Sequence, residues 1–279
     1  MKTEKVMGTE SRNPRSANLS ELSAAEIVKL MNEEDRRVCD AVSECIEDIG
    51  RIAEVYADTL KNGGRIFYLG AGTSGGLALL DAAEMPPTFG VSEDTVIALT
   101  AEEGINYTND AEDSTFRAEE KLKEFKCGEN DLVIGVAASG STPFVLEGLR
   151  YAKSVGAKTA AVACNKNTRI GEIADYKAEA DTGAEVLTGS TRLKAGTAEK
   201  MILNMLSTAA MVRFGKVYSN FMVDVKPMNA KLVKRARSIV MEVTGCDEAA
   251  AQAAMEQANG HCKTAIEIIK SNQDRTGGY

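Results

Sequence analysis

The stretch YLGAGTSGGLALLDAAEMPPTFG, residues Tyr68–Gly90, decides how the middle of this chain folds. A short apolar run, RIFYLGA (65–71), enters a G-x-G-x-x-G turn made by Gly70, Gly72 and Gly75, and a helical pattern follows from Ser74. A strand that turns through glycines into a helix is the basic unit of a parallel α/β sheet. The turn is also a candidate ligand site, because backbone N–H groups and the positive end of the helix meet there.

Further apolar runs continue this alternation of short strands and helices. Helical patterns separate them, and the last run is weaker than the others. Such an alternation predicts a parallel sheet with helices on both faces, so we expect an α/β protein with an αβα sandwich. The runs are TVIALTA (95–101), DLVIGVAAS (131–139), KTAAVACN (158–165) and YKAEAD (176–181).

Purely helical patterns flank the alternating region. Between Leu19 and Asn62, apolar residues recur at three- and four-residue spacing, with Ser20 or Ser23 placed to cap the first turn. From Asn229 the chain again has only helical patterns. We therefore predict an N-terminal arm and helices over residues 1–62, a core over residues 63–228 and a small all-helical domain over residues 229–279.

The composition limits the classes of partner. Lys and Arg number 33 against 41 Asp and Glu, a net charge of −8, which predicts that the protein repels a nucleic-acid backbone or an anionic membrane. The longest apolar stretch, Met201–Val212, is interrupted by polar residues and is shorter than the ~20 residues of a membrane span. An anionic small molecule would therefore need a locally electropositive pocket.

Cysteine and histidine usage indicates the compartment and the kind of chemistry. The six cysteines are scattered without a C-x-x-C pair, and the first twenty residues are polar, which together predict reduced thiols in a cytoplasmic protein. The single histidine, His261, is too few for a zinc site built on imidazoles. We expect carboxylate and hydroxyl chemistry without a metal, and His261 as a residue that starts a helix of the tail.

The context of the glycine turn argues against a dinucleotide site. That fingerprint expects an acidic residue at the end of the second strand, about 20 residues on, to bind a ribose. Here the loop EMPPTFGVSED (84–94) intervenes, and Glu102 and Glu103 come later than the fingerprint requires. A phosphate is the better candidate, because Thr73 and Ser74 add hydroxyls at the helix start, although Ser74 could simply cap that helix.

Two more turns are rich in hydroxyls. SGSTP (139–143) follows the third strand and places Thr142 to cap the next helix, and TGSTRLKAGT (188–197) precedes the long apolar helix. Strand-end loops of a parallel sheet gather at one edge, so three such turns predict an anionic, hydroxylated ligand such as a sugar phosphate. The candidate ligand-binding residues are Gly72, Thr73, Ser74, Ser139, Gly140, Ser141, Thr142, Ser190, Thr191 and Lys194. Lys194 and Arg192 could instead be cations that orient a loop.

These motifs resemble the sugar isomerase (SIS) domain and, more narrowly, the family of N-acetylmuramic acid 6-phosphate etherases. The similar segments span nearly the whole chain in order: TESRNPRSANLSELSAAEIVKLMNEED, LGAGTSGGLALLDAAEMPPTFGV, IGVAASGSTPFV, GAEVLTGSTRLKAGTAEKMILNMLST and GKVYSNFMVDVKPMNAKL. The resemblance implies a cytoplasmic homodimer with sites near the subunit interface. It also implies a cofactor-free lyase that cleaves the lactyl ether by elimination and hydration, in cell-wall sugar recycling.

The resemblance further implies two catalytic glutamates. Glu84 matches the family's glutamate before the Pro-Pro pair and would protonate the departing lactyl oxygen, and Glu112 matches the second and would remove the proton at C2. Such a pair needs one ionised and one protonated carboxyl. Pro86 and Pro87 predict that the helix breaks just after Glu84. The alternative for Glu84 is a solvated glutamate at a helix end, and the alternative for Glu112 is a residue on a solvated acidic helix face.

Two departures from the family pattern border this region. Gly76 stands where the family usually has Arg, and EEGINYTNDAED (102–113) replaces a glycine-containing segment before Glu112. Two other functions therefore stay open at this point. One is an aldose–ketose isomerase of sugar phosphates, which would release no lactate. The other is a regulator that binds sugar phosphate without turnover.

Overall fold

The computed structural model describes residues 8–101, 117–224 and 230–276. The chain begins with 3-10 turns at Gly8–Glu10, Pro14–Ser16 and Leu19–Glu21. The α-helices are α1 (Ala24–Ser43), α2 (Ile46–Lys61), α3 (Gly72–Phe89), α4 (Arg117–Glu124), α5 (Pro143–Ser154), α6 (Arg169–Ile173), α7 (Lys194–Arg213), α8 (Ala230–Thr244), α9 (Glu248–Gln257) and α10 (Cys262–Thr276). The strands are β1 (Ile66–Gly70), β2 (Val96–Thr100), β3 (Leu132–Val136), β4 (Lys158–Ala163), β5 (Tyr176–Glu179), β6 (Val217–Tyr218) and β7 (Phe221–Met222).

The first five strands form one parallel sheet in the order β2-β1-β3-β4-β5. Ile66 of β1 pairs with Val96 of β2 on one side and with Leu132 of β3 on the other. Every residue of β1 and of β3 is buried, as expected for a strand with helices on both faces. The α/β class and the parallel sheet predicted from the apolar runs are confirmed.

Alternate residues of the strands pack on opposite layers of helices. Phe67, Leu69 and Val133 share one apolar cluster with side chains of α4, α5 and α6. Their neighbours in the strands point to the other face, because successive side chains of a strand alternate. There Tyr68 donates to Asp81 of α3 over 3.1 Å, and Ser207 of α7 donates to the same carboxylate over 3.1 Å. These bonds hold α3 and α7 against β1.

Backbone packing divides the chain into two units. The first comprises Met1–Ala82 and Asp94–Ala210, and the second comprises Ala83–Glu93 and Met211–Tyr279. The first unit contains the whole parallel sheet. In the second, α8, α9 and α10 enclose an apolar cluster built on buried residues such as Val240, Met255 and Ile266. The domain boundaries predicted at residues 62 and 228 stay predictions.

Polar contacts order the residues before α1. Ser23 caps α1 in a capping box with Glu26: its N–H donates to the Glu26 carboxylate over 2.8 Å, and its hydroxyl accepts from the Glu26 N–H over 3.4 Å. Upstream, Asn13 is almost fully buried and donates to Glu34 of α1 over 3.0 Å. From Gly8 to α1 the chain therefore has a defined path through its 3-10 turns.

Three features of the structure were not expected from the sequence. Pro86 and Pro87 lie inside α3, which continues to Phe89, so the predicted helix break after Glu84 is wrong. The φ angle of proline is close to the helical value, so α3 continues past both residues although neither has an N–H to donate to the helix. The short α6 and the β6–β7 hairpin were not predicted, because each is too brief to show a periodic pattern.

Candidate functional site

The topology of the sheet creates a crevice between β1 and β3. The chain leaves β1 toward β2 at one side of the sheet, and it leaves β3 toward β4 at the other. In open parallel sheets, ligands bind at this reversal, beyond the carboxyl ends of the strands. Residue 71, which follows β1, and the loop of residues 137–142, which follows β3, lie at that place.

A pocket of about 390 Å³ lies there in the first unit. Three stretches that the sequence singled out contribute to it, together with the N-terminal 3-10 turn. The structure therefore brings six of the ten predicted ligand residues together: Gly72, Thr73, Ser74, Ser139, Thr142 and Thr191. The other lining residues are Glu10, Ala71, Ala138 and Gly189.

The glycines of the motif explain how the β1–α3 turn is built. A Cβ on Gly70 would lie 2.8 Å from the backbone nitrogen of Gly75, so the strand and the helix start approach closely only without side chains. Gly72 has a φ of 54°, in the left-handed region that favours glycine. The first turn of α3 is thereby presented to the pocket, and the first N–H groups of a helix have no intrahelical partner.

The β3–α5 turn is organised by its own hydroxyls. The Ser141 N–H donates to Ser139 Oγ over 3.2 Å, and the two hydroxyl oxygens lie 3.0 Å apart. Gly140, with a φ of 71°, donates its N–H to Ala137 O over 2.9 Å. Ser141 and Gly140 shape this turn, while Ser139 lines the pocket.

Capping does not account for the Thr142 hydroxyl. Thr142 occupies the N-cap position of α5 ahead of Pro143, as predicted, but its side chain makes no capping hydrogen bond. On the third loop, the Thr191 backbone forms turns with Gly189 and Gly196 while the residue lines the pocket. Ser190 is half-buried in the same loop and is not among the described lining residues.

Ser74 has a buried partner that sequence reasoning missed. Its Oγ lies 2.8 Å and 3.0 Å from the two carboxyl oxygens of Glu199 on α7. Glu199 is 1% exposed, and burial raises the pKa of its carboxyl to about 8, against the lowering effect of the Ser74 hydrogen bond. No local pattern marks Glu199, because its partner is 125 residues away in the chain.

The N-terminal turn was also missed as part of the site. The Thr9 N–H donates to Asn165 Oδ1 over 3.2 Å, and Asn165 Nδ2 donates to Thr9 Oγ1 over 2.8 Å and to Ala138 O over 3.1 Å. Asn165 therefore ties the N-terminal turn to the loop after β3. This contact brings the neighbouring Glu10 to the pocket.

Lys194 has a different partner from the one expected of a ligand residue. It is 2% exposed, and its Nζ lies 2.8 Å from Glu34 Oε2 on α1. Burial alone would raise the pKa of the Glu34 carboxyl, but Lys194, Asn13 and Arg15 together lower it. Lys194 is not among the described lining residues, and Arg192 is exposed on the same loop. The structure thus favours the alternative of a cation that anchors its loop.

The structure describes one of the two glutamates that are expected to be catalytic. Glu84 is exposed on α3 and belongs to the second unit, whereas the pocket belongs wholly to the first. Glu112 lies outside the described residues. His261 is exposed in the second unit, just before α10, with its Nε2 3.3 Å from Asp224 Oδ1. The roles of both glutamates stay predictions.

The described pocket suits hydrogen bonding to an anion more than charge pairing. None of its described lining residues is a lysine or arginine, and Glu10 is the one charged residue among them. Hydroxyls and helix N–H groups are ordinary partners of phosphate oxygens. Within the described ranges, no three histidine, cysteine or carboxylate side chains are placed as a metal site requires. Nor is any described helix both long and apolar enough to cross a membrane.

Comparison with other sequences shows the family of this chain. The family model of the SIS domain matches residues 32–164. A Geobacillus sp. (strain WCH70) protein named N-acetylmuramic acid 6-phosphate etherase is 50% identical over 264 residues, which cover 94% of this chain and 90% of the relative. A protein of the same name from Mycolicibacterium smegmatis is 49% identical and covers 95% of this chain and 90% of its own.

Solved structures share the fold. A phosphoheptose isomerase from Francisella tularensis superposes on 70% of this chain and 100% of its own, with a TM-score of 0.54 and 11% identity. A protein from the E. coli strain CFT073, solved in complex with a ligand, covers 71% of this chain and 97% of its own, with a TM-score of 0.53 and 16% identity. At these identities the likeness shows the αβα architecture alone.

Proposed function

Since this chain belongs to the family of N-acetylmuramic acid 6-phosphate etherases, we propose that it cleaves the lactyl ether of N-acetylmuramic acid 6-phosphate. The products are D-lactate and N-acetylglucosamine 6-phosphate, and the reaction serves the recycling of cell-wall sugars. The observation that carries the proposal is the hydroxyl-lined pocket at the reversal point of the sheet, which offers partners for a sugar phosphate.

Binding of the phosphate would use the first turn of α3 and the two other loops. Ser74 and Thr73 stand at the helix start, Ser139 and Thr142 at the loop after β3, and Thr191 on the third loop. Their hydroxyls donate to phosphate oxygens, and the positive end of α3 adds to the attraction. Because the described lining holds no cation, the directions of these hydrogen bonds, rather than a net positive charge of the pocket, would select the ligand.

The chemistry is elimination followed by hydration, which makes it that of a carbon–oxygen lyase. With the sugar ring open, a carboxylate removes the proton at C2, the electron pair forms the C2–C3 double bond, and the C3–O bond to lactate breaks. A second carboxyl protonates the departing lactyl oxygen. Water then adds across the double bond: its oxygen bonds to C3, the second carboxylate accepts its proton, and the first carboxyl returns a proton to C2. We assign the base to Glu112 and the acid to Glu84, as the family resemblance implies, and neither step requires a metal or redox cofactor.

Lactate release tests the proposal directly. Purified protein incubated with N-acetylmuramic acid 6-phosphate should release one D-lactate for each N-acetylglucosamine 6-phosphate formed. Glu84→Gln should lower kcat about a hundredfold to ten-thousandfold, because it removes a proton donor while keeping the side-chain shape. Sugar-phosphate binding should change little.

A matched control separates loss of the acid from loss of charge. Glu93, which is also exposed and also in the second unit, should tolerate Glu93→Gln without loss of turnover. Substrate that is bound but yields no lactate with the unmodified protein would refute the lyase assignment. Isomerised sugar without lactate would indicate an aldose–ketose isomerase instead.

The proposed setting is a homodimer in the cytoplasm. All six cysteines are free thiols, as proteins of reducing compartments usually have. The homodimer rests on the family resemblance. Light scattering of the purified chain measures its mass in solution, and a monomer that turns over at full rate would contradict the dimer.

A further inference from the structure

Glu199 forms a buried contact at the floor of the candidate phosphate site. Both of its carboxyl oxygens lie within 3.0 Å of Ser74 Oγ, and Ser74 itself lines the pocket. Glu199 is 1% exposed and Ser74 is 7% exposed, so water has little access to the contact. Among the described residues, Ser74 is the one side chain that hydrogen-bonds to this carboxyl.

In the part of the chain that the structure describes, no cation pairs with Glu199. Cys164 directly follows β4. Burial, with the charges of Glu199 and Glu185 as smaller causes, holds the pKa of its thiol well above the usual value, so it is a neutral neighbour. Glu185 accepts from the N–H groups of Lys194 and Ala195 at the start of α7. Lys194 itself is paired with Glu34, and Glu10 adds a further carboxylate at the pocket.

The protonation state of Glu199 decides what the Ser74 hydroxyl can offer a ligand. A serine hydroxyl has one proton to donate and two lone pairs to accept with. When Glu199 is ionised, its carboxylate can only accept, so the Ser74 hydroxyl donates its hydrogen bond to Glu199. When Glu199 is protonated, its O–H can donate to Ser74 Oγ, and the Ser74 proton is then free for another acceptor.

We propose that Glu199 is a positioning residue of the anion site: its protonated form donates to Ser74 Oγ and directs the Ser74 hydroxyl proton to a phosphate oxygen of the ligand. The inference rests on the proposed function, in which this pocket binds the 6-phosphate. Its chemical basis is that a dianion and a buried carboxylate cannot share one hydroxyl proton, and would repel each other across a site that excludes water.

Ligand affinity should then fall at alkaline pH. Burial raises the pKa of Glu199 to about 8, so the binding-competent fraction of the unliganded protein declines above that pH. The apparent Kd is the intrinsic value divided by the competent fraction, which predicts a rise of about tenfold for each pH unit above about pH 8. The ligand phosphate has its second pKa near about 6 and keeps one charge state across this range.

Calorimetric titration of N-acetylglucosamine 6-phosphate from about pH 7 to about pH 10 measures this dependence, with circular dichroism at each pH to verify the fold. The unmodified protein should show the alkaline loss. Glu199→Gln should bind with one affinity throughout, near that of the unmodified protein at about pH 7, because the amide N–H donates to Ser74 Oγ without titrating. Ser74→Ala should weaken binding already at about pH 7.

Glu10→Gln is the matched control, because it removes the other carboxylate of the pocket and should leave the alkaline slope in place. Constant affinity of the unmodified protein up to about pH 9, or an unchanged slope in Glu199→Gln, overturns the role of Glu199. Lactate release decides the proposed function separately. An alkaline slope that Glu199→Gln abolishes in a protein that releases no lactate would support the positioning role and refute the etherase reaction.

Discussion

Replacement of Lys194 by methionine tests whether this residue holds the fold or holds the ligand. Lys194 and Glu34 are 2% and 0% exposed, and their charged atoms are 2.8 Å apart. Lys194→Met keeps most of the length of the side chain but leaves the Glu34 carboxylate without one of its buried partners. Losing one member of a buried pair typically destabilises a protein by about 3–5 kcal/mol.

The surroundings of Glu34 place the expected effect at the lower end of that range. Arg15 donates to Glu34 Oε1 over 2.6 Å, and Asn13 donates to Oε2 over 3.0 Å. With the ion pair to Arg37 at 3.5 Å, the carboxylate keeps three partners after the substitution. Arg15 is 45% exposed, which weakens its compensation through solvent screening. We expect a loss of about 3 kcal/mol in the free energy of unfolding.

Urea denaturation followed by circular dichroism measures this loss, and calorimetric titration of the sugar phosphate measures ligand affinity in the same variant. The control is Lys153→Met, which removes a pair with Asp175 that is 46% and 38% exposed, and should change stability by less than about 1 kcal/mol. Unchanged stability of Lys194→Met together with greatly weakened ligand binding would refute the structural role and restore Lys194 as a ligand residue.

The pH dependence supplies an independent check on this pair. The folded protein holds the pKa of Glu34 below its ordinary value of 4.5, because the contacts of Lys194, Asn13 and Arg15 outweigh burial. The stabilisation is therefore fully present above about pH 4.5 and is lost as the pH falls through the folded-state pKa. The stability difference between Lys194→Met and the unmodified protein should shrink in acid.

Two further predictions concern the candidate phosphate site and the turn beside it. Glu199→Gln should become more stable than the unmodified protein as the pH rises from about 4.5 to about 8, by up to about 5 kcal/mol. With a folded-state pKa of about 8, Glu199 ionises in the unfolded chain before it ionises in the folded protein, so the unmodified protein loses stability across that range and by a constant amount above it. A difference in melting temperature that does not vary with pH would contradict this. Gly140→Ala should lower stability by about 2 kcal/mol and weaken ligand binding, since the φ of 71° is strained for alanine and its Cβ would lie 2.3 Å from Thr168 Cβ. In the control Gly128→Ala, the added Cβ meets no atom within 4 Å, so its stability should match that of the unmodified protein.

The amino-acid sequence by itself determined the alternating strands and helices, the parallel sheet and the glycine turn. These features depend on patterns within a few residues: an apolar run makes a buried strand, and a glycine permits a left-handed turn. The grouping of Ser74, Ser139 and Thr191 in one pocket was also predictable, because the topology of a parallel sheet brings strand-end loops to one edge. The course of α3 through Pro86 and Pro87 was not, because a helix that is already packed tolerates the bonds that proline removes.

Only the tertiary structure decided which polar groups meet. Lys194 and Glu34 are 160 residues apart in the chain, and Ser74 and Glu199 are 125 apart. No periodicity relates such residues, and a lysine beside a hydroxyl-rich turn has the same local pattern whether it binds a ligand or a buried carboxylate. The partners become certain only when the helices pack, because a buried charge or hydroxyl must find its hydrogen bonds among whatever groups the fold brings beside it.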